Sequence, residues 1–129
     1  MFEYAVKEVN KIVDGDTVDL SIDLGFNVIY KHRFRLAQID TPESNSKDPT
    51  ERVLAEDAKV FVADWIKQNQ PLVVKTTKDD KYGRMLGEIF ASGELESLNK
   101  AMIRLGYAWE YDGTAKNKDL SILKSKRGL

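Results

Sequence analysis

Residues 4–36 read YAVKEVNKIVDGDTVDLSIDLGFNVIYKHRFRL and contain three strand-like segments separated by two tight turns. The middle segment alternates apolar and polar residues from Val18 to Leu24, which is typical of a strand with one buried face. Asp14-Gly15-Asp16 precedes it and Gly25-Phe26-Asn27 follows it, and both have the composition of hairpin turns. The pattern predicts a meander of three antiparallel strands. The predicted outer strands are Tyr4 to Val13 and Val28 to Leu36.

The remainder of the chain predicts helices and further strands. Asp48 followed by Pro49 is a helix-capping pattern, and the segment after it carries apolar residues at helical spacing. Ser97 and Gly106 are expected to cap and end a second helix. The other predicted elements are the strands Leu72 to Thr77 and Met85 to Ala91 and a basic helix from Leu120 to Lys126.

These elements predict a single α+β domain over residues 1–129 that is mainly a small β-barrel. Five strands with a helix inserted after the third are typical of the OB-fold, a five-stranded Greek-key barrel. We expect the three α-helices to pack on its outside. No linker or internal repeat divides the sequence, so one core is expected.

Composition excludes several classes of protein. The chain has no cysteine, which rules out a disulfide scaffold, thiol catalysis and a cysteine-based zinc cluster. It has 20 Lys and Arg against 21 Asp and Glu, so it cannot hold nucleic acid by bulk positive charge alone. No apolar run is long enough for a membrane span, and we expect no membrane partner. The protein is expected to be cytoplasmic as written, or secreted if the sequence is the trimmed form of a precursor.

Acidic residues are concentrated at two places, the turn with Asp14 and Asp16 and the segment Asp40-Thr41-Pro42-Glu43. Two carboxylates about 4 Å apart repel by about 4 kcal/mol at an effective dielectric constant of 20, and a divalent cation would reverse the sign of that cost. Carboxylate and carbonyl oxygens suit Ca²⁺ or Mg²⁺. The simpler interpretation is that acids in a turn are solvated and merely favour the turn.

Two arginines are candidate phosphate ligands, one beside the acids in sequence and one in the charged loop 78–84. Arg35 precedes the second acidic segment and Arg84 ends the loop. Guanidinium groups bind phosphate oxygens in a bidentate manner and stay charged, so two of them beside a metal could clamp a phosphodiester. Either arginine taken alone is more often a surface ion-pair partner.

Three ordered blocks of the sequence resemble the signature of the staphylococcal nuclease (thermonuclease) family. The blocks are Val13-Asp14-Gly15-Asp16-Thr17, then Phe34-Arg35-Leu36 with Ile39-Asp40-Thr41-Pro42-Glu43, then Asp80-Lys81-Tyr82-Gly83-Arg84. A further similarity covers Leu98 to Ala108. The resemblance as a whole extends from about Val9 to Tyr111. The family fold that it implies is the same five-stranded barrel with three helices.

The resemblance also implies a role for each matching residue. Asp16, Asp40 and the carbonyl of Thr41 match the ligands of one Ca²⁺. Glu43 matches a residue that contacts the metal through water and is the proposed, and debated, general base. The matches to substrate-contacting residues are Arg35 and Arg84 at the scissile phosphate, Lys81 and Tyr82 at the neighbouring phosphate, and Tyr111 at a base-stacking position.

The expected activity is therefore Ca²⁺-dependent phosphodiester hydrolysis of DNA and RNA, by endonuclease or exonuclease cleavage, with little sequence specificity and 3′-phosphate products. By the same resemblance we expect a monomer that prefers single-stranded or frayed nucleic acid. The alternatives are a binding module that keeps the barrel without catalysis and an inert structural domain. His32, the single histidine, is predicted to be structural because it follows the strand alternation and has no evident partner.

Overall fold

The computed structural model describes residues 2–79, 83–111 and 118–129, with the side chains of residues 77–79 excluded. Seven strands and three α-helices lie in these ranges. The strands are β1 (Phe2–Asp14), β2 (Thr17–Asp23), β3 (Ile29–Leu36), β4 (Ile39–Asp40), β5 (Leu72–Asp79), β6 (Met85–Ala91) and β7 (Trp109–Glu110). The helices are α1 (Pro49–Gln68), α2 (Leu98–Leu105) and α3 (Leu120–Arg127).

Five of the strands close into a barrel in the order β1-β2-β3-β6-β5. The long strand β1 closes it, because its start pairs with β5 and the remainder pairs with β2, both antiparallel. Strands β3 and β6 pair in parallel. Parallel strands need a long connection, and here it includes the helix α1. The predicted α+β barrel of the OB type with three helices is confirmed.

The core fills the barrel and continues under the helices. Alternate residues of β2 and β3 point inward and are almost fully buried, as the period-two pattern predicted. Helix α1 contributes Ala58, Val62 and Ile66, and α2 contributes Leu98 and Met102. Burying this apolar surface is the main driving force for the fold.

Burial at the hairpin between β2 and β3 differs from the prediction. Leu24 was expected to continue the buried face of β2, and Ile29 was expected among the apolar residues of β3, yet both are exposed. Strand β2 ends at Asp23, and the turn that follows has positive φ angles at Gly25, Phe26 and Asn27. Leu24 and Ile29 therefore lie at the tip of the hairpin, beyond the reach of the core.

The predicted helix caps at Asp48 and Ser97 are confirmed, and Asp119 is a further cap that was not predicted. Asp48, Ser97 and Asp119 each accept a hydrogen bond from a backbone N–H in the first turn of α1, α2 and α3 respectively. Gly106 ends α2 with a φ of 86°, where a side chain would also collide with α3. The last helix is held by Leu123, which is buried, and by an ion pair of 3.1 Å between Arg127 and Asp57 on α1.

Candidate active site

The turn between β1 and β2 is packed tightly against the segment that carries the second acidic group. A Cβ atom on Gly15 would lie 2.9 Å from the Cβ of Ala58 on α1 and 3.3 Å from the Cγ2 of Thr41. Glycine is thus required here by the close approach of its neighbours, because any side chain would push the turn outward. The close fit packs the turn that carries Asp16 against Thr41.

Strand pairing brings Arg35 to the same place. Residues Thr17 and Arg35 are paired across β2 and β3, and the amide of Leu36 donates a 2.8 Å hydrogen bond to the carbonyl of Asp16. The chain then reverses at Gln38, which has a φ of 64°, and enters β4. Asp40 therefore returns towards Arg35 only five residues later in sequence.

The Arg35 guanidinium is held by the turn that it helps to close. Its Nη1 donates to the carbonyl of Leu36 at 2.7 Å, and its Nη2 donates to the carbonyl of Ile39 at 2.8 Å. The same Nη2 lies 3.2 Å from Oδ1 of Asp40 and 3.6 Å from Oδ2 of Asp16. Because the side chain is only 13% exposed, these bonds fix its position and aim. One cation thus joins the two acids that the sequence places apart.

Asp40 has a second cationic partner that sequence reasoning did not find. The Nζ of Lys118 lies 3.1 Å from Oδ2 of Asp40, while Arg35 occupies the other oxygen. Lys118 directly precedes Asp119, the cap of α3, so only the three-dimensional fold brings it to the acids. No pattern in the sequence signals this contact.

The donor chemistry of this cluster fits a hard divalent cation. Asp16 and Asp40 are both mostly buried carboxylates within reach of one nitrogen atom, and Thr41 is 4% exposed beside them. Among the described residues no group of three or more His, Cys, Asp or Glu side chains is placed to hold a metal. The ligand set expected from the resemblance has only two carboxylates, and its third ligand is a backbone carbonyl. It therefore does not require a group of three such side chains, because backbone carbonyls are common calcium ligands.

Glu43 follows Asp40 by three residues and is exposed. Its amide donates a 2.9 Å hydrogen bond to Oε2 of Glu51 in the first turn of α1. The side chain of Glu51 therefore ties the segment after β4 to α1 and restrains the backbone of Glu43.

Arg84 directly precedes strand β6. Met85 and Leu86 pair with Phe34 and Arg35, so β6 runs beside the strand that carries the first arginine. Arg84 immediately precedes this pairing and is partly buried. Arg84 therefore lies just before the strand that pairs in parallel with the strand of Arg35.

Three other predicted site residues have different outcomes. Tyr111 follows β7, is partly buried, and donates from its amide to the carbonyl of Gln38 at 2.8 Å. It thus lies next to the turn between β3 and β4. Lys81 and Tyr82 lie outside the described residues.

His32 has partners, so the expectation that it lacks one is wrong. Its Nε2 is 3.0 Å from the carbonyl of Gly83, and its Nδ1 is 3.1 Å from the hydroxyl of Tyr30. The rings of Tyr30 and His32 are also stacked, with centroids 5.2 Å apart. The structural role predicted for His32 takes the form of a link between β3 and the residue before Arg84.

Asn99 is a second structural link that the sequence did not reveal. The side chain is 2% exposed and its amide nitrogen donates to the carbonyls of Ala37 and Gly87 at 2.9 and 3.1 Å. Its oxygen accepts from the amide of Ile89 at 3.2 Å. Helix α2 is thereby tied both to β6 and to the turn that leads to Asp40.

Further along the outer face of β3, Arg33 is paired with Asp19 of β2. The Nε and Nη2 atoms of Arg33 donate to the two carboxylate oxygens at 2.8 and 3.2 Å. These hydrogen bonds hold the pKa of Asp19 below its usual value. Arg33 therefore differs from Arg35, which faces the candidate site.

Comparisons with known proteins give one consistent family. The sequence matches the family described as "Staphylococcal nuclease homologue" over residues 33–127. It is 33% identical to Protein ParB of Escherichia coli, covering 91% of this chain and 63% of that protein. It is 30% identical to Micrococcal nuclease of Shigella flexneri, covering 93% of this chain and 66% of that protein. An "Uncharacterized endonuclease" of Escherichia coli O157:H7 is 32% identical, with coverage of 94% and 74% respectively. The chain thus spans somewhat less than two thirds of the length of the first two relatives.

Proposed function

Because this chain belongs to the staphylococcal nuclease family, we propose that it is a nuclease that hydrolyses phosphodiester bonds of DNA and RNA with the help of Ca²⁺. The observation that carries this proposal is the convergence of the Asp16 and Asp40 carboxylates on the single guanidinium of Arg35. Relatives named as a micrococcal nuclease and an endonuclease support the reaction class.

In this proposal Asp16, Asp40 and the carbonyl of Thr41 hold the Ca²⁺. The two carboxylates are mostly buried and close enough to share Arg35, so the fold holds two hard oxygen donors close together. When bound, the metal would supply positive charge to a phosphodiester and its attacking water. The surrounding residues orient the substrate.

Arg35 and Arg84 are proposed to contact the scissile phosphate. The three hydrogen bonds that Arg35 makes with described residues use one N–H of Nη1 and both N–H groups of Nη2, so within this part of the chain Nε–H and a second Nη1–H remain to donate. These donors are already oriented, so little rearrangement is needed as negative charge grows on the phosphate oxygens. Positioned donors of this kind are typically worth about 10²- to 10³-fold in rate.

Glu43 is proposed to orient or deprotonate the attacking water. The residue is exposed to solvent, while the hydrogen bond from its amide to Glu51 restrains its backbone. Water attacks phosphorus in line with the leaving 5′-oxygen, and the bond from phosphorus to that oxygen breaks. The leaving oxygen takes up a proton to become a 5′-hydroxyl, and the phosphate stays on the 3′ side. The products therefore end in 3′-phosphates.

The proposed substrate is read through its backbone. Arginines recognise phosphate oxygens, which carry no base information, so we expect little sequence specificity. Lys81 and Tyr82 are proposed to contact the neighbouring phosphate, and Tyr111 is proposed to stack on a base. We further propose that the protein acts as a monomer on single-stranded or frayed regions.

Digestion of single-stranded DNA and of RNA in Ca²⁺, in Mg²⁺ and in a calcium chelator tests the proposal. We expect cleavage in Ca²⁺ that stops in the chelator, and 3′-phosphate ends on the products. Activity that is indifferent to the chelator would contradict the metal assignment. Binding without cleavage under every ion would favour a non-catalytic binding module.

A further inference from the structure

Lys118 places a second positive charge on Asp40, at a distance of 3.1 Å. Arg35 is 3.2 Å from the other oxygen of the same carboxylate. Both oxygens of Asp40 are therefore already engaged by cations. The carboxylate is only 14% exposed, whereas the Lys118 side chain is 40% exposed and has an open route to solvent.

The backbone next to Lys118 is fixed to the strand pair that contains Asp40. Asp40 pairs with Trp109 across β4 and β7, and the indole N–H of Trp109 donates to the carbonyl of Asp119 at 3.0 Å. Asp119 also caps α3 through a 2.9 Å hydrogen bond from the amide of Ser121. These contacts keep the ammonium group of Lys118 within reach of Asp40 while its long side chain stays free to turn away.

The four side chains that these ion pairs join carry no net charge together before any metal binds. Asp16 and Asp40 contribute two negative charges, and Arg35 and Lys118 contribute two positive charges. Calcium sites in proteins usually carry excess negative charge, because affinity rises with the number of carboxylates. A neutral cluster is therefore a poor calcium site until one of its cations leaves. Arg35 is buried and bonded to two carbonyls, so Lys118 is the cation that can leave.

We propose that Lys118 is a tethered counter-cation that competes with Ca²⁺ for Asp40 and sets the Ca²⁺ concentration at which the site fills. This rests on the proposed ligation of Ca²⁺ by Asp40. The ammonium group satisfies the mostly buried carboxylate when metal is scarce, and it swings to solvent when Ca²⁺ binds. Removing the lysine therefore removes a competitor and strengthens metal binding.

Calorimetric titration of Ca²⁺ into the protein without nucleic acid tests this inference at low ionic strength. Lys118→Met should lower the dissociation constant for Ca²⁺ by about tenfold, since the ammonium group that competes with the ion for Asp40 is lost. Lys118→Gln should do the same, and Lys118→Arg should keep the wild-type value. Lys67→Met is the matched control because Lys67 is exposed at the end of α1, and it should stay within about twofold of wild type.

Two outcomes separate this inference from the proposed function. If Asp40→Asn abolishes Ca²⁺ binding but Lys118→Met and Lys118→Gln bind Ca²⁺ no more tightly than wild type, the competition is wrong and the metal site stands. If Asp40→Asn binds Ca²⁺ like wild type, Asp40 is not a ligand, and both the metal assignment and the competition are wrong. Circular dichroism of each variant confirms that the fold is intact.

Discussion

The guanidinium of Arg35 bridges Asp16 and Asp40, with one nitrogen 3.6 Å from the first carboxylate and 3.2 Å from the second. The bridge joins the turn after β1 to the short strand β4, and two backbone carbonyls hold the same side chain in place. A single arginine thus offsets the repulsion between two acids and presents its remaining donors in a fixed direction.

Arg35→Lys is expected to lower the cleavage rate at saturating substrate by at least about 10²-fold. Lysine keeps the charge but lacks the planar set of donors that bonds Leu36, Ile39 and Asp40 at once. Steady-state kinetics on single-stranded DNA measure the effect. Arg33→Lys on the same strand is the matched control, because Arg33 pairs with Asp19 away from the cluster. Equal rates for the two variants would show that Arg35 does not contact the phosphate.

Gly15→Ala is expected to lower the free energy of unfolding by about 1–3 kcal/mol. The added Cβ would lie 2.9 Å from Ala58, so either the turn or helix α1 must shift. Urea denaturation monitored by circular dichroism measures the loss. Because the same turn carries Asp16, calcium affinity should fall as well. A variant as stable as wild type would mean that the turn is not packed against α1 as described.

Asn99→Ala is expected to cost about 2–4 kcal/mol of unfolding free energy, since the Ile89 amide and the Ala37 carbonyl both lose their bond to Asn99. The Gly87 carbonyl also loses Asn99 but keeps its hydrogen bond from the Ala37 amide. Urea denaturation again provides the measurement. Asn69→Ala is the control, because Asn69 makes one hydrogen bond at the partly exposed end of α1. Its loss should be clearly smaller. Similar losses for both variants would contradict the bridging role of Asn99.

The pair of Asp19 and Arg33 predicts a pH-dependent contribution to stability. Hydrogen bonding to Arg33 lowers the pKa of Asp19 in the folded protein, so the contribution is present above the unfolded pKa of Asp19 and is lost as the pH falls through the folded pKa. Arg33→Met should therefore reduce stability near neutral pH by a small amount, because the pair is largely exposed and screened. Its stability should converge with that of wild type in acid. A constant difference at every pH would rule out this linkage.

Contacts between neighbours in sequence were predictable, and those made by closure of the fold were not. Alternation in β2 and the capping residues identify most elements, because strand and helix periods are local properties of the chain. Asp16, Arg35 and Asp40 are grouped in the structure as their motifs suggested. By contrast, the ion pair of Lys118 with Asp40 and the hydrogen bond of His32 with Gly83 join distant segments. Neither leaves a local pattern, because each depends on where α3 and the start of β6 come to rest.

In the proposed mechanism, this barrel hydrolyses phosphodiesters through the carboxylates around Arg35. The rate at which the protein cleaves a labelled single-stranded DNA in saturating Ca²⁺ tests this mechanism. Asp40→Asn should reduce that rate by at least about 10²-fold, because one proposed ligand of the ion loses its charge. Asp64→Asn makes the same change on the exposed face of α1 and should cleave like wild type. Cleavage by Asp40→Asn at the wild-type rate would contradict the proposed active site.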